Sequence, residues 1–305
     1  MLDVSEIRTE REGSTMRYAH SFTAWILTFV IILAIPVWAG PQSPGLGKTV
    51  RIVLKDESEL IGTVLAEDAM SIQFRTLSGV EMVITKDKIA SIEAVEVVGG
   101  KAVRLDPNRT RLFFAPTARP LRAGEGYFSV YEILLPYFAV GVTDFLAIGG
   151  GISLVPGASN QLFYVAPKVT PFRAKNIDLA AGMLYMAPLS SAGDHVGIVY
   201  GLGTFGTRRK ALSVGLGWGF TGEGFANQPI LLIGGELQVS NSVKLISENW
   251  IPFGWEHKIL SLGIRLFGRK LAADFALAVL TGVDMGGFPF IPWIGFTYNF
   301  GGHKQ

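Results

Sequence analysis

The chain has 305 residues, 49% of them hydrophobic and 17% charged, with 37 glycines, no cysteine and a formal net charge of +2. The apolar content excludes a disordered chain, and the near-neutral charge gives no electrostatic footprint for nucleic acid. The lack of cysteine excludes disulfides, thiolate-bound zinc and thiol catalysis, a composition common among exported bacterial proteins.

Mean hydropathy is +0.37. Outside one N-terminal segment, however, no apolar run reaches the roughly 18 residues of a membrane-spanning helix. Excess hydrophobicity without such helices points to strands in lipid. In the N-terminal segment Arg17, Tyr18, Ala19 and His20 precede the apolar stretch Phe22 to Ile35, which ends in Pro36-Val37-Trp38-Ala39-Gly40. A basic flank, an apolar core and a small residue at the break predict a signal peptide over residues 1–39, cleaved after Ala39. Met16 is an alternative start, and an uncleaved inner-membrane anchor is the competing reading.

A Pro/Gly/Ser-rich joint, residues 40–47, leads into residues 48–98. There five short β-rich runs are expected: Val50 to Leu54, Leu60 to Ala66, Ser71 to Thr76, Glu81 to Thr85 and Ile89 to Ala94. Turn residues such as Lys55-Asp56-Glu57-Ser58 and Leu77-Ser78-Gly79 separate them. This string resembles the SH3-like small barrels, and its strand order resembles that of Sm-like domains. Sm-like domains bind RNA, but here Lys55, Lys86 and Lys88 are outnumbered by Asp56, Glu57, Glu59, Glu67, Asp68, Glu81 and Asp87. The expectation is therefore no nucleic acid. A periplasmic protein partner for residues 48–98 is expected instead, with a plain spacer as the alternative. Residues 99–109, polar and containing Lys101, Arg104, Asp106 and Arg109, read as a second linker.

From residue 110 to 301 the chain breaks into twelve apolar segments of about ten residues, the length of a tilted strand across the hydrocarbon. They are 110–116, 127–142, 145–155, 161–172, 176–188, 196–205, 210–221, 229–240, 243–252, 258–267, 271–281 and 288–300. The clearest is 210–221, where Leu212, Val214, Leu216, Trp218 and Phe220 share one face and Ala211, Ser213, Gly215, Gly217 and Gly219 the other. That is period two, with a greasy face backed by a small one. Segments 127–142 and 243–252 alternate poorly. Tight, mostly basic connections, such as Thr207-Arg208-Arg209 and Gly268-Arg269-Lys270, alternate with longer loops holding Asp194, Glu223, Glu256 and Asp284. Tight turns belong to the periplasmic side and long loops to the outside. The predicted fold is thus all-β, an antiparallel transmembrane β-barrel of about twelve strands preceded by a small five-stranded SH3-like barrel.

This stretch resembles bacterial outer-membrane β-barrel proteins. The resemblance implies residence in the outer membrane, contact with its lipid and lipopolysaccharide, and a structural or small-solute passage role without a cofactor. Those proteins usually end on an aromatic residue, whereas here Phe300 is followed by a short tail, with residues 302–305 assigned to it. The candidate interior residues are Lys168, Asp178, Glu236, Gln238, Glu248, Arg265 and Asp274. They would line an open pore or pair up across a plugged one, and the sequence leaves both open. A weaker site, Asp194-His195 with Ser190 and Ser191 nearby, would make the protein a surface hydrolase, although no phospholipase-type His-x-Ser pattern accompanies it. A soluble exported β-sandwich is the remaining alternative. Gly149-Gly150-Gly151 reads as close packing rather than a phosphate loop.

Overall fold

The computed structural model describes residues 47, 49–98, 101–190, 194–283 and 287–301. The expected signal peptide, most of the 40–47 joint, Asp284 and the 302–305 tail lie outside the described residues.

The five predicted runs of the N-terminal region are strands β1 (Thr49–Leu54), β2 (Glu59–Glu67), β3 (Ser71–Thr76), β4 (Glu81–Thr85) and β5 (Ile89–Val98). They pair antiparallel in the order β4-β3-β2-β1-β5. Alternation decides the buried face, and Val50, Ile52, Val64, Ile72, Phe74 and Ile84 form its core. Asp68 ties the β2–β3 turn, accepting from the Met70 and Ser71 amides at 2.7 Å each. The stretch read as a linker contributes a further strand, β6 (Lys101–Arg104), paired with the second half of β5. β5 runs past Ala94 because that half of it finds this partner.

Twelve strands make the wall of a closed barrel: β7 (Gly126–Tyr131), β8 (Leu135–Gly141), β9 (Leu146–Ile152), β10 (Leu162–Ala174), β11 (Ile177–Pro188), β12 (Val196–Gly206), β13 (Lys210–Thr221), β15 (Ile230–Gln238), β16 (Val243–Pro252), β17 (Ile259–Phe267), β18 (Leu271–Leu280) and β19 (Ile291–Phe300). A two-residue piece, β14 (Gly224–Phe225), folds back on the end of β13. Closure comes from β19 against β7, in register from Gly295↔Tyr131 to Phe300↔Gly126. No edge is left to solvent, as a spanning sheet requires.

The strand number matches the expectation while the membership does not. Segment 127–142 is two strands, β7 and β8, joined by Glu132-Ile133-Leu134. Segment 110–116 is not in the wall at all; it lies in the lumen. The last strand begins at Ile291 rather than at Phe288.

Outward positions are exposed and apolar on neighbouring strands, among them Leu212, Leu216 and Trp218 on β13, Leu260 and Leu262 on β17, and Leu271, Phe275 and Leu277 on β18. A continuous apolar band on a closed barrel is what hydrocarbon contact requires, so the barrel is a transmembrane one. Among the described residues no helix is long and apolar enough to cross a membrane.

Candidate functional site

The segment between β6 and β7 threads into the barrel as a hairpin. Leu112 N donates to Ala115 O at 2.8 Å and Thr117 N to Thr110 O at 2.9 Å, so the chain enters along 106–112, turns at Phe113-Phe114, and returns along 115–121. It then leaves by the end at which it entered, since β6 precedes it and β7 starts beside the C-terminal end of β19. That end carries the tight turns, for example residues 207–209 between β12 and β13. Asp106, Asn108, Arg111, Leu112, Ala115, Thr117, Ala118 and Arg119 are all buried. The apolar run Leu112 to Pro116 has the composition of a strand, but here its tip amides find a wall side chain rather than a neighbouring wall strand.

Six of the seven candidate interior residues hold this plug. Glu248, on β16, receives the three amides of the hairpin tip on one carboxylate oxygen: Phe113 at 2.8 Å, Phe114 at 3.0 Å and Ala115 at 3.1 Å. Its other oxygen accepts from Trp250 Nε1 at 2.8 Å. Arg265 bridges wall and plug, donating to Asp274 on the neighbouring strand at 2.6 Å, to Asp106 at 3.2 Å and to the carbonyl of Asn108 at 3.0 Å, as well as to the carbonyl of Leu112. Asp274 also accepts from plug residue Arg111 at 2.6 Å. Glu236 pairs with plug residue Arg119 and, at 2.9 Å, with Lys244. Lys168 caps the returning arm, donating to the carbonyls of Thr117 at 2.9 Å and Arg119 at 2.8 Å. Gln238 donates to Arg104 O at 2.8 Å, where the plug begins.

The seventh does not join them. Asp178 lies toward the rim, with Arg173 at 4.0 Å as its ion-pair partner and part of its side chain exposed. It is the second residue of β11, at the end by which the plug enters.

Sequence reasoning missed the plug's own share: Asp106, Arg109, Arg111 and Arg119, together with wall residue Lys244, which is fully buried between Asp106 at 3.0 Å and Glu236. The available signal was three arginines and an aspartate bracketing a short apolar run just before an otherwise neat barrel pattern. A latch closes the mouth, where Glu125 pairs with Arg109 and accepts from Arg122 N at 2.8 Å. Burial pushes the Glu125 carboxyl up, but the Arg109 guanidinium and that amide outweigh it and hold it below its ordinary value.

Charges buried this deeply are costly unless paired and hydrogen-bonded. The pairing here crosses between plug and wall, so each partner satisfies the other. Chemically the arrangement holds a chain segment in place and blocks the lumen.

No protein-family model matches the chain, and no curated protein matches it in sequence. Among solved structures it is similar to the KdgM porin, at 7% identity and a TM-score of 0.43, with 58% of this chain and 98% of that one covered. The same porin in complex with disordered oligogalacturonate matches at 6% identity and a TM-score of 0.44, over 58% of this chain and 98% of that one. A loop L8 deletion mutant of OmpT, an outer membrane protein of Vibrio cholerae, matches at 10% identity and a TM-score of 0.31, over 84% of this chain and 97% of that one. Likenesses this distant bear on neither residues nor solutes.

The inner wall changes character along the barrel. Around the plug it is ionic. Beyond Phe114, on the side of the longer loops, it is apolar and aromatic, with Leu184, Ile198, Tyr200, Ile230, Leu232 and Trp250 facing in. The expectation of a small or polar inner face therefore fails in this half. The glycines of β13 are small because β12 is large: a Cβ at Gly217 would lie 2.6 Å from Ile198 Cδ1, and one at Gly215 2.7 Å from Leu202 Cβ. Gly149 likewise leaves its space to the Tyr137 ring.

The Asp194-His195 pair is not assembled into a site. The His195 ring lies 5.6 Å from that of Tyr185 and 6.5 Å from that of Phe220, an aromatic cluster at the rim. Ser190 Oγ accepts from Asn160 Nδ2 at 2.5 Å. Among the described residues no serine or carboxylate hydrogen-bonds His195. Ser191 lies outside them.

Proposed function

We propose that this chain is an outer-membrane β-barrel, closed at rest, whose role is structural: it anchors a periplasmic sheet domain that is joined without a break to the plug. The observation that carries the reading is the hairpin tip, whose three consecutive amides converge on the buried carboxylate of Glu248. A lumen lined for a permanent solute stream would leave its charges to water; here they are matched to a segment of the same chain.

Loop length supports the sidedness of this reading, in which the end with the tight turns and the plug entrance faces the periplasm together with residues 49–104. The resemblance to Sm-like domains, together with the acidic surface that argues against RNA, favours a protein partner for the small domain. The stacked setting of His195 favours a non-enzymatic reading. Lipid and lipopolysaccharide are the expected surroundings of the apolar band.

Single-channel recording of the purified full-length protein in planar bilayers tests the closed state. Silence is the expected result, and a sustained conductance in the unmodified protein would overturn it. Membrane fractionation with heat-modifiable gel mobility tests the location, since extraction by salt alone would return the chain to the soluble class.

A further inference from the structure

A cavity of about 80 Å³ lies between the plug and the wall. Thr110 and Arg111 of the plug border it, together with Lys168 of β10 and the wall tyrosines Tyr127, Tyr137 and Tyr200, and no aspartate or glutamate does. Two polar atoms on this border, Arg111 Nε and Thr110 Oγ1, are buried with no hydrogen-bond partner among the described residues. We propose that the cavity is a binding site for one small, monovalent inorganic anion of the chloride class, held across the joint between plug and wall.

Charge selects an anion and fixes its valence. Arg111 is matched: it donates to Asp274 at 2.6 Å, and its guanidinium lies over the Tyr131 ring, 5.4 Å from the centroid. Lys168 is not. It donates to the carbonyls of Thr117 at 2.9 Å, Arg119 at 2.8 Å and Thr110 at 3.4 Å, and no ion pair among the described residues includes it. Carbonyl dipoles solvate an ammonium without cancelling its charge, and a buried charge without a counter-ion is costly. One unmatched positive charge calls for one negative charge. The unpartnered atoms are of the right kind as well. Arg111 Nε only donates, and the Thr110 hydroxyl turns its proton toward whatever accepts it. Each is costly to bury unsatisfied, so a single ion relieves both. Size limits the choice: a cavity that takes benzene measures about 150 Å³, whereas one water needs about 10–15 Å³. At about 80 Å³ this one has room for an ion with a few waters and not for a sugar acid or a lipid head group. The site is also divided between two elements. Thr110 and Arg111 belong to the plug and Lys168 to the wall, so an anion bound to both holds the plug in place and is lost when the plug leaves.

The inference rests on the plug lying in the lumen and not on the silence of the pore, and the test keeps the two apart. Hydrogen exchange of the Leu112 and Thr117 amides, both bonded within the hairpin, is followed in full-length protein in nanodiscs. Sodium chloride is compared with sodium gluconate, whose anion is too large for the cavity, at constant ionic strength. A ligand bound only while the plug is seated slows exchange in proportion to its concentration above Kd, about tenfold for each tenfold rise in chloride. Thr110→Val deletes one donor and no hydrogen bond within the chain, and should raise the chloride needed by about tenfold. Lys168→Met loosens the plug under any reading, but here it should also abolish the chloride dependence. Heat-modifiable mobility reports whether each variant is folded. Should either fail that check, crystals of the unmodified protein grown in bromide decide, with one anomalous peak expected beside Arg111 Nε. Equal exchange in chloride and gluconate would overturn the proposal. So would a logarithm of the rate that falls linearly with chloride concentration, the mark of a general salt effect, or an unchanged chloride dependence in either folded variant. Water alone in the cavity of bromide-grown crystals would overturn it too. A conducting barrel that still shows the chloride dependence would refute the closed state and leave this site standing.

Discussion

Glu248 shows how one side chain can carry an element. Its carboxylate meets three tip amides and one indole N–H, and it is 4% exposed. Glu248→Ala strands four buried donors, each costing about 1–3 kcal/mol when unsatisfied, although relaxation of the tip shares the loss. The variant is expected to leave the barrel heat-modifiable while freeing the tip, seen as hydrogen exchange of the Phe113 to Ala115 amides faster by orders of magnitude. Glu248→Gln keeps one acceptor oxygen and should fall between. Unchanged exchange in Glu248→Ala would mean that the tip is held by something else. A second residue explains a misreading. Ile133 has φ 64° and Glu132 φ 49°, both left-handed, in the three-residue β7–β8 turn, a backbone conformation that favours Gly or Asn. Glu132 stays because its backbone N–H donates to Ile294 O at 2.9 Å and its carboxylate accepts from Ile294 N at 2.7 Å. Ile133 has no such contact and is exposed. Left-handed backbone costs a branched residue about 1–2 kcal/mol, so Ile133→Asn should raise stability by about 1 kcal/mol, measured as a higher midpoint of the heat-modifiable transition. Because neither turn residue announces itself, 127–142 reads as one poorly alternating strand.

At the scale of elements, legibility tracks how many neighbours enforce the pattern. β13 has a strand on either side, lipid on one face and β12 side chains on the other, so period two is forced at every position and its bounds are plain in the sequence. The plug has no ladder partner in the wall. Its backbone is satisfied by Glu248, Lys168, Thr204 and Arg265, residues 49 to 157 positions away in the chain, and no local rule encodes such pairings. Hence the wall residues were recognisable as inward and polar, while their partners were not. The same reasoning predicts what the plug blocks. Replacing residues 106–121 with a Gly/Ser linker of equal length removes Asp106, Arg111 and Arg119 and leaves Lys244, Arg265, Glu236, Asp274 and Glu248 facing water. Closure of the wall depends on β19 against β7 and not on the plug, so the variant should insert and conduct where the full-length protein is silent. A folded but silent variant would mean that the loops close the lumen by themselves.

For the whole molecule, topology sets the order in which it comes apart. The wall is a closed ring of twelve paired strands, and opening it means breaking one complete ladder. The plug is a hairpin whose two ends leave by the same mouth, so it can withdraw without unthreading anything. What retains it is mostly charge and hydrogen bonding, with Leu112, Phe113 and Ala115 its main apolar contribution to the core shared with Leu232 and Ile246. Segments with few apolar contacts open at lower free energy than the global transition, and urea solvates peptide groups directly. Urea should therefore release the plug at a concentration below that at which the barrel loses its heat-modifiable mobility. Across that interval the silent protein is expected to become a conducting one, with silence restored on dilution because the hairpin re-enters by the mouth it left. Glu248→Ala and Arg265→Ala should both lower the urea concentration at which conductance appears, the latter by leaving Asp106 to Lys244 alone and Asp274 to Arg111 alone while the plug carbonyls of Asn108 and Leu112 lose their donor. Conductance and loss of the folded gel mobility appearing together at one urea concentration would show plug and wall to be a single cooperative unit, and the separation of holding forces argued from the pairing would be wrong.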